Sequence, residues 1–359
     1  MLACSVCERS YEEGPDELWR CSCGSPLEFE TRPVPDSGPP EFGALETRKG
    51  LWAFESFLHT EPSVTLGEGF TPLVDAPAWD AAFKLDYVFP SGSFKDRGAT
   101  TTLSRAADLG VERVVEDSSG NAGAAIALYA ARAGIEADIY VPAEVKAAKL
   151  RAIRQTGAEA VPIEGGREAV SEACIHRVET GDAYYASHAW NPSFFEGTMT
   201  FAMEVCAQRD WEPPDAVVAP LGHGTLVLGA YWGFSALQEA GWIDRLPRLL
   251  CAQAAGTAPV AERLHGMERG TNRIADGIQI AEPVRIDAVL EAIEATDGDA
   301  IQIGGQTTEE TLGRLHQSGF YVEPTSAVAP AALDRYREAG VIGPDADVVV
   351  GLTGSGLKG

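Results

Sequence analysis

From Arg113 onward the chain alternates between short apolar segments and longer helix-patterned ones. Segments 113–116, 137–141, 159–163 and 183–186 read as strands, and 121–133, 144–156 and 166–180 as helices. Strands separated by helices do not pair as hairpins. They form a parallel sheet with helices on its faces. A second series begins at Glu196, with a helix, a strand at 216–219, a Gly-rich loop, a helix at 226–240 and a strand at 249–253. The last helix starts near Ser326 and the last strand is 347–351, while 255–276 carries no readable period. With 359 residues the chain can bury two cores of ordinary domain size.

Four of the seven cysteines lie in the first thirty residues: Cys4, Cys7, Cys21 and Cys23. Two such close pairs, facing each other, place four thiolates around one Zn²⁺. Gly24 gives the second turn its backbone freedom. A disulfide pairing is disfavoured in a reducing compartment. With four protein ligands the site is closed, hence structural, and residues 1–30 read as a zinc ribbon. Cys174, Cys206 and Cys251 lack metal spacing and read as buried structural residues. A Pro-rich stretch at 31–40 reads as a linker.

The net charge of −25 is carried by scattered acids rather than by runs. It opposes binding to phosphate backbones, so nucleic acid is not an expected partner. An acidic, lysine-poor surface suits strong salt, and a halophilic source explains it. No apolar run is long enough to span a bilayer and no signal segment is evident, so a cytoplasmic location is expected.

Three strand-to-helix or chain-end loops hold the candidate chemistry. Pro90-Ser91-Gly92-Ser93-Phe94-Lys95-Asp96-Arg97-Gly98 puts Lys95 at the mouth of a helix, after a turn. A strand at 83–89 is expected to feed it. Lysines are usually solvated surface residues, but this chain has nearly abandoned them, keeping only Lys49, Lys84, Lys95, Lys146, Lys149 and Lys358. Ser118-Ser119-Gly120-Asn121 follows a strand and opens a helix. It can serve as an ordinary cap, or its N–H groups and hydroxyls can bind a carboxylate. Pro220-Leu221-Gly222-His223-Gly224-Thr225-Leu226 has the same placement, with donors suited to a phosphate.

Together these segments resemble the threonine synthase family of fold type II, tryptophan-synthase-β-like pyridoxal-phosphate enzymes. Gly67-Glu68-Gly69-Phe70-Thr71-Pro72-Leu73, Glu323-Pro324-Thr325-Ser326-Ala327 and Leu352-Thr353-Gly354-Ser355-Gly356-Leu357-Lys358 resemble further family segments. The resemblance implies an α/β fold of two doubly wound parallel-sheet domains with pyridoxal 5'-phosphate between them. The larger is expected from 31–103 and 187–359, the smaller, inserted one from 104–186. Lys95 is implied as the Schiff-base lysine and Asn121 as the partner of the cofactor's phenolic oxygen. Gly222, His223, Gly224, Thr225 and Leu226 are implied as the phosphate loop, and Thr353 as the partner of the ring nitrogen. Ser118, Ser119, Gly120 and Asn121 would receive the substrate carboxylate. Homodimers are common in this fold, and a small amino acid is the expected substrate.

The resemblance breaks at Asn191-Pro192-Ser193-Phe194-Phe195-Glu196-Gly197-Thr198-Met199-Thr200. Threonine synthases carry Arg and Lys where this chain has Phe194 and Met199, and that Arg helps bind the substrate phosphate. An aromatic ring cannot replace it. Arg97 and Arg273 are candidates for supplying the charge. Three readings follow: conversion of O-phosphohomoserine and water to threonine and phosphate, dehydration or β-replacement on an unphosphorylated serine- or threonine-like amino acid, and non-catalytic cofactor binding.

Overall fold

A computed structural model describes residues 1–15, 17–181, 183–266 and 269–358. In chain order its elements begin with β1 (Leu2–Ala3), β2 (Ser10–Tyr11) and β3 (Glu28–Phe29), then β4 (Leu73–Ala76) and β5 (Ala81–Lys84). These are followed by α1 (Lys95–Asp108), β6 (Arg113–Glu116), α2 (Asn121–Ala133), β7 (Glu136–Pro142), α3 (Ala147–Gln155), β8 (Glu159–Ile163), α4 (Arg167–Thr180) and β9 (Tyr184–Tyr185). The second half holds α5 (Pro192–Ala207), β10 (Ala216–Pro220), α6 (Thr225–Glu239), β11 (Arg248–Ala254), α7 (Pro259–His265) and α8 (Ile286–Ala295). It ends with β12 (Asp299–Ile303), α9 (Gly305–Gln317), α10 (Pro324–Glu338) and β13 (Val348–Gly351).

The chain divides into two compact units. One comprises Met1–Pro33, Arg48–Glu68 and Lys95–Thr198, and the other Val34–Thr47, Gly69–Phe94 and Met199–Gly359, of which Gly359 lies outside the described residues. The first unit's main sheet has the order β8-β7-β6-β9, all parallel. Val115, Tyr140 and Tyr185 from its strands pack with Val170 and Cys174 of α4. A small antiparallel sheet, β2-β1-β3, belongs to the same unit. The second unit's sheet has the order β12-β11-β10-β13-β5-β4, parallel except for β4 against β5. Val218, Leu250 and Val350 share its core with Ala327, Val328 and Leu333 of α10. Strands buried on both faces read as continuous apolar runs, and Val348 to Val350 is one.

Both sheets reverse their strand order at a strand that leads into a candidate loop. β6 lies between β7 and β9, and its carboxyl end runs into Ser118. β10 lies between β11 and β13, and its carboxyl end runs into Gly222. Ligand crevices of open α/β sheets form at such switch points. β13 is parallel to β10 and leads into Thr353, so that residue lies at the same end of its sheet as the Gly222 loop.

The expected elements recur with local shifts. α2 matches the expected 121–133, closed by a left-handed Gly134 at φ 73°. The strand expected at 83–89 stops at Lys84, and Asp86–Val88 forms a 3-10 turn instead. Two side chains favour the stop: Lys84 Nζ turns to Glu204 Oε2 and the Thr71 carbonyl, each at 2.7 Å, and Asp86 accepts from Thr71 Oγ1 at 2.6 Å. α5 begins at Pro192 rather than Glu196, because proline suits a first helical turn and Asn191 Oδ1 caps the Ser193 N–H at 3.0 Å. Of the unreadable stretch, 259–265 is α7, while Met267 and Glu268 lie outside the described residues. Among the described residues no helix is long and apolar enough to cross a membrane.

Candidate active site

Lys95 is the first residue of α1. The turn before it, with Gly92 at φ 77°, is pinned by the Phe94 N–H to the Thr353 carbonyl and by the Ser355 N–H to the Gly92 carbonyl, both at 2.9 Å. A left-handed φ there is what glycine permits. Within the first unit, Lys95 Nζ lies 5.5 Å from the centre of the Phe194 ring. That ring is fully buried and occupies the space a side chain at residue 98 would need: a Cβ on Gly98 would meet it at 2.3 Å. Loss of hydration drives the Lys95 ammonium down to about pKa 7, against the pull of Glu116 and with the push of Arg167. Near neutrality a substantial share of the amine is therefore uncharged, the form that reacts with an aldehyde and accepts a proton.

Glu116 ends β6 and is completely buried. Its Oε1 lies 2.7 Å from His188 Nδ1, and its Oε2 accepts the His188 backbone N–H at 3.3 Å. Burial and the neighbouring Asp117 raise its carboxyl well above the usual range, with Lys95 opposing. The His188 and Phe194 rings stand 6.0 Å apart, edge to face. Neither Glu116 nor His188 was expected from the sequence. The one available signal was a pair of acids, Glu116-Asp117, ending an otherwise apolar strand.

The 118–121 loop opens α2, whose N-terminal turn has no side-chain cap. The Ser118 hydroxyl instead accepts the Gly120 N–H at 3.3 Å. Ser119, Gly120 and Asn121 are partly exposed. The loop folds tightly on the helix because a Cβ on Gly123 would lie 1.8 Å from the Ser118 carbonyl oxygen. Uncapped N–H groups at a helix start suit an anion such as a carboxylate.

In the second unit, Gly222, His223 and Gly224 join β10 to α6, which likewise starts without a side-chain cap. Gly224 is left-handed at φ 84°, and a Cβ there would meet Val289 at 2.5 Å. Gly222, Gly224, Thr225 and Leu226 are buried, and His223 is half-buried. Thr353 is buried, its Oγ1 3.2 Å from Ser326 Oγ. Ser326 also accepts the Thr353 and Gly354 N–H groups at 3.0 and 2.8 Å. Ser326 is thus a brace for the Thr353 turn, and the residue flanking α10 is Glu323, without a side-chain cap. Each unit by itself carries groups suited to a phosphorylated pyridine cofactor: in the first a buried amine of lowered proton affinity, in the second a glycine-lined helix start for a dianion and a buried hydroxyl.

Phe194 and Met199 are both buried, so neither position presents charge. Arg97 is fully buried in α1 and Arg273 is exposed. At the N-terminus, Cys4, Cys7, Cys21 and Cys23 come together with their sulfurs within 4.8 Å of one another. Cys4 and Cys23 are 3.6 Å apart and Cys7 and Cys21 3.4 Å, with all four thiols free. A tetrahedral ion with bonds of ~2.3 Å sets sulfurs roughly 3.8 Å apart, so the cluster fits a metal.

Comparison with known proteins is consistent with this geometry. The family described as pyridoxal-phosphate dependent enzyme matches residues 64–354. Threonine synthase of Methanocaldococcus jannaschii is 30% identical, over 99% of this chain and 92% of that protein. The Methanosarcina acetivorans threonine synthase is 32% identical, over 86% of this chain and 80% of its own. Among solved structures, maize serine racemase aligns with a TM-score of 0.71 at 21% identity, covering 87% of this chain and 93% of that one. Threonine deaminase isoform 2 of Solanum lycopersicum aligns at 0.67 and 22%, covering 80% and 84%.

Proposed function

The chain belongs to the pyridoxal-phosphate dependent enzymes, and from that premise we propose that it is a lyase that converts O-phosphohomoserine and water to threonine and phosphate. The observation that carries this reading is the similarity to threonine synthases across nearly the whole chain, with Lys95 at the start of its helix.

Lys95 is the residue proposed to hold the cofactor aldehyde, Asn121 its phenolic oxygen, Thr353 its ring nitrogen, and Gly222, His223, Gly224, Thr225 and Leu226 its phosphate. Pyridoxal phosphate, when bound, supplies the electron-withdrawing ring that makes protons on the substrate's Cα acidic. Ser118, Ser119, Gly120 and Asn121 receive the substrate carboxylate and so fix which Cα bond faces the amine. Lys95, in part uncharged near pH 7, takes the proton from Cα and returns one later in the cycle. Phe194 covers the amine on one side and keeps water from it.

A second reading is favoured by Phe194 itself, which stands where the family has a phosphate-binding arginine. On that reading the substrate carries no phosphate, and serine or threonine is converted to its keto acid. The two are separated by incubating the holoenzyme with O-phosphohomoserine, serine and threonine. Release of phosphate with threonine formation is the expected result. Keto acid from serine or threonine without phosphate release replaces the first reading with the second.

Cys4, Cys7, Cys21 and Cys23 are proposed to hold a structural Zn²⁺, four thiolates leaving no open position for chemistry.

A further inference from the structure

The N-terminal segment reaches the neighbourhood of Lys95 through one carboxylate. The Glu17 side chain is only 5% exposed. Arg105 of α1 grips it as a fork, with Nε 3.0 Å from Oε1 and Nη2 on Oε2. The Tyr184 hydroxyl, at the start of β9, donates to the same Oε1 at 3.2 Å. A phenol has one proton to give, so this hydroxyl meets its next neighbour as an acceptor. That neighbour is Asn191, whose Nδ2 donates to it at 2.8 Å and to the Tyr185 carbonyl at 3.2 Å. With its nitrogen so engaged, the Asn191 amide turns its oxygen to the Ser193 N–H at 3.0 Å. The Asn191 carbonyl accepts the Phe194 N–H at 3.2 Å. Thr101 of α1 adds a second tie to this turn, its hydroxyl donating to the Ser193 carbonyl at 2.7 Å. The first turn of α5 is fixed in this way, and with it the buried Phe194 ring, centred 5.5 Å from Lys95 Nζ.

We infer that Glu17 is a positioning residue for Lys95: by orienting the Tyr184 hydroxyl it holds Asn191 as the cap of α5 and keeps the Phe194 ring against the amine. The inference rests on Lys95 being the cofactor lysine proposed above. No covalent bond changes in this relay, which sets only the direction of hydrogen bonds and the seating of one helical turn. Without the carboxylate, the Tyr184 proton is free to turn toward Asn191. The amide must then flip to accept it, and the Ser193 N–H loses its acceptor. A loosened turn lets water reach the amine, and a hydrated amine holds its proton more tightly. Dehydration is the main cause of the lowered proton affinity of Lys95. The charges that act on the amine, Glu116 on β6 and Arg167 on α4, are not part of the relay.

The test uses the full-length chain stripped of cofactor. Pyridoxal phosphate is added at pH 7 and at pH 10, the product is fixed with borohydride, and the rate of labelling at Lys95 is read by mass spectrometry. Glu17→Met has no acceptor and is expected to slow labelling at pH 7 by about twofold to fivefold. That is the loss of neutral amine when a pKa of about 7 rises by roughly half to one unit. At pH 10 the variant is expected to match wild type. Tyr184→Phe is expected to behave like Glu17→Met, and Glu17→Gln, which keeps an oxygen for the Tyr184 proton, to recover most of the rate. Added to Phe194→Leu, Glu17→Met is expected to change nothing further, since it acts through that ring. If Glu17→Met does not fold, the Tyr184→Phe rates decide. An unchanged rate at pH 7, equal slowing at both pH values, or additivity with Phe194→Leu overturns the inference while leaving Lys95 as the labelled residue. Absence of label on wild-type Lys95 overturns the cofactor assignment and takes this inference with it.

Discussion

Lys95 is the residue on which the proposed chemistry depends, and its own titration gives a prediction separate from activity. In the folded, cofactor-free chain the amine has a pKa of about 7, and in an unfolded chain one of about 10.4. Between these values the unfolded state binds the extra proton, so folding stability rises with pH across that window. Below about pH 7 both states are charged and the full cost of burying the ammonium is present. Above pH ~10.4 both are neutral and the contribution vanishes. The slope within the window is at most about 1.4 kcal/mol per pH unit. Denaturant titrations at pH 7 and pH 9 are expected to show wild type gaining stability relative to Lys95→Met. Parallel changes in the two proteins would place the Lys95 amine in water. Glu68 shows another use of a buried group. It accepts from Trp52 Nε1 at 3.2 Å, Thr100 Oγ1 at 2.7 Å, Tyr129 OH at 3.0 Å and the Leu66 N–H at 2.7 Å, which makes it a structural hub. The Gly67–Leu73 motif was readable in the sequence, but that task was not, because its partners come from four separate stretches of chain.

The cysteine-bearing N-terminal sheet is the element whose stability is expected to depend most on a bound ion. β1 and β2 hold two residues each, as does β3, and five buried apolar or thiol residues make up their core. So small an antiparallel sheet cannot hold its loops without a staple. Its link to the rest of the first unit runs through Arg105 of α1, which donates to Glu13 and Glu17 at 3.0 Å. Tyr184 at the start of β9 reaches Glu17 at 3.2 Å, and Trp19 packs edge-on against Tyr185 and Trp190. Purified protein is expected to carry about one zinc per chain by elemental mass spectrometry. Cys7→Ser with Cys21→Ser is expected to lose that zinc and to leave residues 1–30 open to proteolysis. Full metal content in the double variant would refute the ligand set. α1 and α5 illustrate a closer constraint, since a Cβ on Gly197 would lie 1.8 Å from the Arg97 carbonyl oxygen. That contact brings Phe194 over Gly98, and nothing in the local sequence of either helix announces it.

For the molecule as a whole, the net charge of −25 should show as a salt requirement. Self-repulsion among scattered acids is screened as the Debye length falls from about 10 Å at 0.1 M salt to about 3 Å at 1 M. Melting temperature is expected to climb over that range, and a flat or falling curve would remove the argument for a salt-adapted surface. The alternation of strands and helices, the parallel sheets and the four-cysteine cluster were legible from residue order, because each depends on short-range pattern. β4, α8, β12 and α9 were not, for their stretches mix weak apolar periods with glycine and acid, and contacts with distant segments decided them. β12, for example, joins its sheet through β11, Leu250 opposite Asp299. Sequence by itself singled out the lysine, the glycine loops and the thiols as candidates, since chemistry restricts which residue types can fill the roles proposed for them. Only the tertiary structure decided that Phe194 lies against Lys95 and that His188 links Phe194 to Glu116, because burial and proton affinity depend on groups that distant parts of the chain bring together.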